Sequence, residues 1–484
     1  MPFVTTPEGA APGGSIRQLP VRWALAALSL SMLLSSLGIS IVNIALPTLA
    51  NVFGAPFQHV QWVVLAYLLT ITTLVVSVGR LGDIVGRRRL LLAGILVFTV
   101  GSALGAVAPT LALLIAARAV QGLGAAVMMA LTMAFVGEIV PKNRTGNAMG
   151  LLGTMSAAGT ALGPSLGGML IALGGWRMIF VVIVPLGGLA LLLAWRALPA
   201  DRAVVQTERK GFDVPGTLLL ALTLAAYTVA MTFGRGSFGV FQLALLSVSV
   251  CGVGLFLYAE SNAASPLLRP AMLRNPVLGA RLAMSVLVST VLMATLVVGP
   301  FYLSSALGLD AASVGLVVSA GPVAVVLTGV PAGRAVDRFG AGRITVAGLF
   351  AIATGCAALS ILPETLGIAG YLVPILTVTI GYALFQTANN TAIMADVVPD
   401  RRGVVSGMLT LSRNLGLVTG TSVLGAVFAV ASTATDIMAA SPEAVATGMR
   451  TTFAVAAGLA VVAILCAFGR RALANRSTQG NAAL

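Results

Sequence analysis

Fourteen stretches of roughly twenty or more apolar residues, each nearly free of charge, limit what this chain can fold into. They lie at 22–49, 61–79, 90–108, 110–138, 148–174, 176–198, 213–233, 239–259, 278–303, 312–332, 344–362, 369–395, 404–432 and 451–469. Such a run has the length of a helix that crosses a bilayer. A helix also satisfies its own backbone N–H and C=O groups, as hydrocarbon demands. Composition agrees: 58% of the residues are hydrophobic and 9% are charged, against about a quarter charged in a soluble domain. The expected class is an all-α integral membrane protein with fourteen transmembrane helices. The least certain boundary is between the third and fourth runs, where only Ala108, Pro109 and Thr110 intervene.

The formal charge of +14 raises the question of nucleic acid, and its distribution answers it. If the N-terminus is cytoplasmic, 23 basic residues fall on the inner side and three, Arg177, Arg235 and Arg450, on the outer side. This is the positive-inside pattern. It places both termini in the cytoplasm of a cell whose inner membrane holds the protein, with the arginines facing anionic lipid headgroups. No aromatic interleaving or nucleic-acid motif accompanies the charge, so no nucleic-acid partner is expected. Residues 1–21 read as a flexible cytoplasmic tail, because the apolar run that follows is longer than a signal peptide's core; 471–484 read as a second tail. Cys251, Cys356 and Cys466 each lie inside an apolar run, and His59 stands without other ligand-type residues. No metal site and no cofactor are expected.

The chain repeats itself. GRLGDIVGRRR at 79–89 shares its skeleton with GRAVDRFGAGR at 333–343, matching Gly79, Arg80, Asp83, Gly86 and Arg89 to Gly333, Arg334, Asp337, Gly340 and Arg343. EIVPKNR, beginning at Glu138, likewise matches DVVPDRR, beginning at Asp396. Two six-helix units running the same way are therefore expected, at 22–199 and 278–470. Residues 200–277 form a linker carrying two extra transmembrane helices. Paired bundles of this kind can rock about a central site and open it to one side at a time.

Five segments in order make the chain resemble the major facilitator superfamily, specifically its fourteen-helix drug:proton antiporter branch. They are SIVNIALPTLA (40–50), QWVVLAYLL (61–69), LIAARAVQGLGAA (114–126), GTALGPSLGG (159–168) and WRMIF (176–180), joined by the GRLGDIVGRRR loop. The resemblance implies a major facilitator fold, two six-helix bundles plus two inserted central helices. It also implies secondary transport of a small molecule in exchange for protons.

Three groups of residues stand out. Gly79 and Gly86 permit close helix approach and a sharp turn; the resemblance assigns Asp83, Arg87 and Glu138 to a cytoplasmic gate, with a looser echo at Asp337, Arg338 and Asp396. Gly159, Gly163, Gly167 and Gly168 with Pro164 make helix 5 a small-residue, kinked hinge. Arg118 and Arg413 are charges deep in apolar runs, where an arginine costs ~2.5–3.5 kcal/mol on insertion scales and usually faces a cavity. With Asn43, Gln121, Gln386, Asn389 and Asn390 they form the candidate substrate-binding set; for the amides, hydrogen bonding between helices is the competing explanation.

One departure matters. The branch usually carries an aspartate in helix 1 a few positions before the asparagine, and here that position holds Gly38. None of the fourteen carboxylates lies near mid-membrane. Glu138 or Asp396 could carry a coupling proton; alternatively, Arg118 could bind an anionic substrate. The expected function is an inner-membrane exporter of small hydrophobic or amphipathic molecules, acting as a monomer by alternating access. The alternatives are an exporter of one specific anionic or neutral metabolite, or a membrane receptor or scaffold that transports nothing.

Overall fold

The structure is a computed structural model that describes residues 21–140, 145–201, 213–232, 239–263, 275–361, 363–395, 402–432 and 440–482. Among these, fourteen helices are long and apolar enough to cross a membrane. The first six are α1 (Val21–Phe53), α2 (Trp62–Val85), α3 (Arg87–Val107), α4 (Leu111–Ile139), α5 (Thr145–Gly174) and α6 (Met178–Ala197). Then come α7 (Val214–Thr232) and α8 (Val240–Asn262). The last six are α9 (Pro276–Phe301), α10 (Ala311–Phe339), α11 (Ala341–Ile361), α12 (Gly367–Ala395), α13 (Arg402–Thr419, continued by Gly420–Leu424 and Gly425–Ala431) and α14 (Pro442–Ala482).

Local chemistry sets several boundaries. Thr110 ends the short gap after α3 and caps α4, its hydroxyl accepting from the Leu113 N–H at 3.4 Å. Gly86 and Gly340, aligned in the sequence repeat, both take positive φ (103° and 84°) between consecutive helices, a conformation that glycine adopts without strain. α1 is not one continuous helix: it breaks after Ser40, passes through a 3-10 turn at Asn43–Ala45 and resumes at Leu46. Helix α14 runs on to Ala482, past the point where the sequence suggested a tail. Arg, Ala and Leu in this segment favour helix.

The packing repeats as the sequence does. In the first half α1 lies against α5 and α6, α2 against α4, and α3 against α4 and α6. In the second half α9 lies against α13 and α14, α10 against α12, and α11 against α12 and α14. The same small-residue contacts recur. A Cβ on Gly159 would stand 2.3 Å from the Leu33 carbonyl of α1, and one on Gly416 would stand 2.4 Å from the Val286 carbonyl of α9. Gly94 and Gly124 hold α3 on α4, as Gly348 and Gly381 hold α11 on α12. These are two six-helix bundles with one inserted pair, α7 and α8. Without a hydrophobic drive between helices in lipid, close backbone packing is what holds such bundles together.

Candidate functional site

The halves meet along two lines, α5 against α10 and α13 against α2. Both are tight at the end that carries few charges. There a Cβ on Gly168 would stand 2.9 Å from the Cα of Gly315, and one on Gly315 would stand 2.5 Å from the Pro164 carbonyl. On the equivalent line Gly425 faces Gln61, whose Nε2 donates to the Thr421 carbonyl at 3.3 Å. Between the lines Phe57, just before α2, meets Phe301 of α9 and Phe428 of α13, with ring centroids 4.8 and 5.6 Å away. All three rings are buried. This aromatic plug and the two glycine crossings close the low-charge end.

The helix-5 residues divide by face. Gly159, Gly163 and Gly167 press on α1; Pro164 and Gly168 press on α10. Helix α5 is thus wedged between its own half and the other, and its glycines let both contacts be backbone-close.

Arg118 is enclosed within the first half. It is 1% exposed, and its Nε donates to the Val63 carbonyl at 2.9 Å. Nη2 donates to the Gly38 carbonyl at 2.8 Å, Nη1 to Oε1 of Gln121. The guanidinium lies 4.0 Å over the Tyr67 ring. Gln121 passes the network on, donating from Nε2 to Ser102 Oγ at 2.7 Å, while the Tyr67 hydroxyl donates to the Ser35 carbonyl at 2.8 Å. Hydrogen bonds to a charged group are worth ~1.5–3 kcal/mol each. A desolvated cation–π contact adds about 2 kcal/mol. Together they offset the insertion cost of the charge. The sequence set Arg118 and Gln121 against a central cavity; the structure shows their polar atoms committed to α1, α2 and α3. Gly38 faces this same network: a Cβ there would meet the Tyr67 hydroxyl at 2.7 Å.

The other candidates lie apart from Arg118. Asn43 sits in the break of α1, which packs on α5, α9 and α10. Its Nδ2 donates to the Ile39 carbonyl at 3.0 Å, and its buried Oδ1 has no hydrogen-bond partner among the described residues. On α12, Asn389 donates to the Arg281 carbonyl of α9 at 3.3 Å, while Gln386 and Asn390 are half-buried. Arg413 is half-buried on α13, close enough to Tyr382, one turn from Gln386, to act on it electrostatically. Its neighbour Asn414 is fully buried, and neither amide atom is bonded among the described residues.

At the arginine-rich end the α2–α3 turn is held by Asp201, beyond the end of α6. Its carboxylate accepts from the backbone N–H groups of Arg88 and Arg89 at 2.7 and 3.1 Å. These are orphan donors of the first turn of α3, where negative charge is favoured. Gly86 cannot cap the helix with a side chain of its own, and Asp201 does so instead. A Cβ on Gly86 would stand 2.5 Å from Oδ2 of Asp201. Arg88 Nη2 adds a bond to the Trp195 carbonyl of α6. Arg87 is half-buried at the start of α3. Among the described residues, nothing lies within 4 Å of a Cβ built on Gly79. Asp337 and Arg338 are exposed at the end of α10, with Arg338 over the Phe339 ring at 5.3 Å. The side chains of Asp83 and Glu138, and Asp396 altogether, lie outside the described residues.

The fold, its repeat and its paired seams match one family by sequence: the profile of the Major Facilitator Superfamily covers residues 28–421. The chain belongs to the major facilitator superfamily. This facilitator is 32% identical over 409 residues to the uncharacterized transporter YebQ of Escherichia coli (strain K12), with 84% of this chain and 89% of that one covered. It is 30% identical over 411 residues to the riboflavin transporter RibZ of Clostridioides difficile (strain 630), covering 84% and 88%. To the multidrug resistance protein Stp of Mycobacterium tuberculosis (strain CDC 1551 / Oshkosh) it is 31% identical over 408 residues, covering 84% and 75%. Its fold is similar to the crystal structure of a bacterial homolog to the human lysosomal transporter Spinster, with a TM-score of 0.67, 15% identity, and 94% and 98% of the two chains covered. It is a multi-pass membrane transporter and not an enzyme.

Three residues of this facilitator escaped the reading of its sequence. Gln61 opens the QWVVLAYLL segment, where nothing local marks it; the repeat alignment, extended beyond the charged loop, sets it opposite Gly315 and marks it as different. Tyr67 carries no pattern of its own. Asp201 lies in the polar stretch after α6, where a carboxylate looks like ordinary linker.

Proposed function

We propose that this facilitator exports small hydrophobic or amphipathic molecules across the inner membrane by alternating access. The carrying observation is the closure of the seam between halves at the low-charge end by aromatic and glycine contacts. The bodies that rock are 22–199 and 278–470. The polar groups offered to a substrate are the free Oδ1 of Asn43 and the half-buried Gln386, Asn390 and Arg413. Arg118, with Gln121, acts from behind by fixing α1 near its break. The Asp83, Arg87 and Glu138 gate is held in register by Asp201, and both termini are cytoplasmic. The transporter works as a monomer, with its arginine-rich face on anionic headgroups. Relatives named for multidrug resistance support this reading.

Proton exchange belongs to the same proposal, with a gate carboxylate as carrier. The test is dye flux into proteoliposomes under an imposed pH gradient. Uptake that collapses when the gradient is dissipated supports proton-coupled export. A second reading draws on the half-buried Arg413 and on a relative named as a riboflavin transporter. In that reading the protein exports one anionic or neutral metabolite, and flux persists without the gradient. Exporting an anion from a negative-inside cell gains ~2.3 kcal/mol per charge per 100 mV. Flux of neither kind would leave a scaffold.

A further inference from the structure

The contact of α5 on α1 and that of α13 on α9 are the same contact twice. A Cβ on Gly159 would meet the Leu33 carbonyl and then the Ser36 Cβ; one on Gly416 would meet the Val286 carbonyl and the Ser289 Cβ. Counted from these anchors, Ser36 corresponds to Ser289 and Ser156 to Arg413. In the first half the two serine hydroxyls are hydrogen-bonded to each other at 2.7 Å. In the second half the place of Ser156 holds a guanidinium. Its opposite number, Ser289, is 1% exposed, and its Oγ has no hydrogen-bond partner among the described residues.

The two buried-helix arginines are therefore different in kind. Arg118 spends Nε, Nη1 and Nη2 inside its own half. Counted from Gly124 and Gly381, its counterpart is the buried Ile375, so the second half has no such cage. Arg413 is half-buried, and no hydrogen bond or ion pair from its guanidinium ends on a described residue. The helices that meet this part of α13 are α2, α7, α9 and α12. Only α2 contains a carboxylate, Asp83 in its last turn at the arginine-rich end. The positive charge thus has no acid of the protein's own beside it within these helices. Tyr382 of α12 is the ring it acts on, and Gln386 follows one turn on.

We propose that Arg413 and Ser289 form an anion subsite on the substrate path, and that the molecules bound there carry one carboxylate, or another monovalent acid, on an apolar body. An unspent guanidinium fork matches a carboxylate with two parallel bonds. The Ser289 hydroxyl supplies a further donor from α9. One cation calls for one negative charge, because an uncompensated charge among apolar helices is costly. That these molecules are cargo rests on the export reading; that the pair binds an anion does not.

The test uses the purified full chain in detergent with two probes of the same ring, 1-naphthoate and its neutral amide, 1-naphthamide. The unsubstituted protein should bind naphthoate about tenfold or more tightly than naphthamide, the usual worth of charge-assisted bonds. Arg413→Gln should bring the two Kd values within about twofold by weakening naphthoate alone, and Arg413→Lys should keep part of the preference. Ser289→Ala should weaken naphthoate severalfold and leave naphthamide unchanged. Arg413→Ser separates binding from folding. It recreates the serine pair of the first half and orphans no bonded acceptor, so it should melt at or above the parent while losing the preference for naphthoate. Equal affinity for the two probes in the parent, binding of neither, or naphthoate binding that survives Arg413→Gln would overturn the subsite. A clearly lower melting temperature for Arg413→Ser would make the arginine structural and overturn it as well. Binding that follows the expected pattern without naphthoate flux in proteoliposomes would remove the export reading and leave the subsite standing.

Discussion

Arg118 shows how a charge survives inside this protein: its donors end on the backbone carbonyls of two other helices and on one amide. Removing it as Arg118→Leu orphans buried acceptors at a cost of about 1–3 kcal/mol each. The purified variant should therefore show a clearly lowered melting temperature. Arg118→Lys should fall between the two, since an ammonium keeps the charge but not the planar fork. An Arg118→Leu protein that melts like the parent would contradict the cage. Gly38 yields a second expectation. Restoring an acid as Gly38→Asp alone crowds the buried Tyr67 hydroxyl and should lower the yield of folded protein. Combined with Tyr67→Phe, the yield should recover and efflux of cationic dyes should rise, as helix 1 then carries the acid that the branch usually has there. Unchanged dye efflux from a well-folded double variant would argue against that. The sequence made Arg118 legible because a charge in an apolar run stands out. Its partners were not legible, because a backbone carbonyl has no letter of its own. Asn43 was legible as a polar residue, but not as part of a broken helix: 22–49 reads as one run, and the break appears only where α1 meets α5, α9 and α10.

At the scale of elements, two contacts carry testable weight. Asp201 caps α3 across the gap left by Gly86. Asp201→Ala should cost about 0.5–2 kcal/mol, the usual worth of an N-cap. Asp201→Asn should keep part of that bond and lose the charge. Gly86→Ala should cost more, because φ is 103° there and the new Cβ would strike the Asp201 carboxylate; chemical or thermal unfolding in detergent reads both. The second contact is the Gly168–Gly315 crossing. Gly168→Leu would drive α5 from α10 at the low-charge end and should abolish dye transport while leaving membrane insertion and expression normal. Normal transport would mean that the crossing does not seal. The fourteen helices themselves were readable from length and hydropathy, because the bilayer fixes both. Which face of α5 meets α1 and which meets α10 was not, since its glycines look alike until two partners divide them.

For the whole molecule, the internal repeat was readable from one charged loop and one helix exit, and it organises the structure down to matched glycine contacts in both halves. The place of α7 against α2 and α13 was not readable, because the inserted pair has no counterpart in the repeat. The account stands on two bodies that move against each other about the seam. Spin labels on Val52 and Ile361 report the low-charge end across the halves, and labels on Ile84 and Phe339 report the arginine-rich end; all four side chains are exposed. Distances measured by double electron–electron resonance, with and without bound rhodamine dye and at two pH values, test that motion directly. The account predicts opposite changes: as the low-charge pair separates, the arginine-rich pair approaches. Two distances that stay fixed under every condition, or that lengthen together, would contradict it.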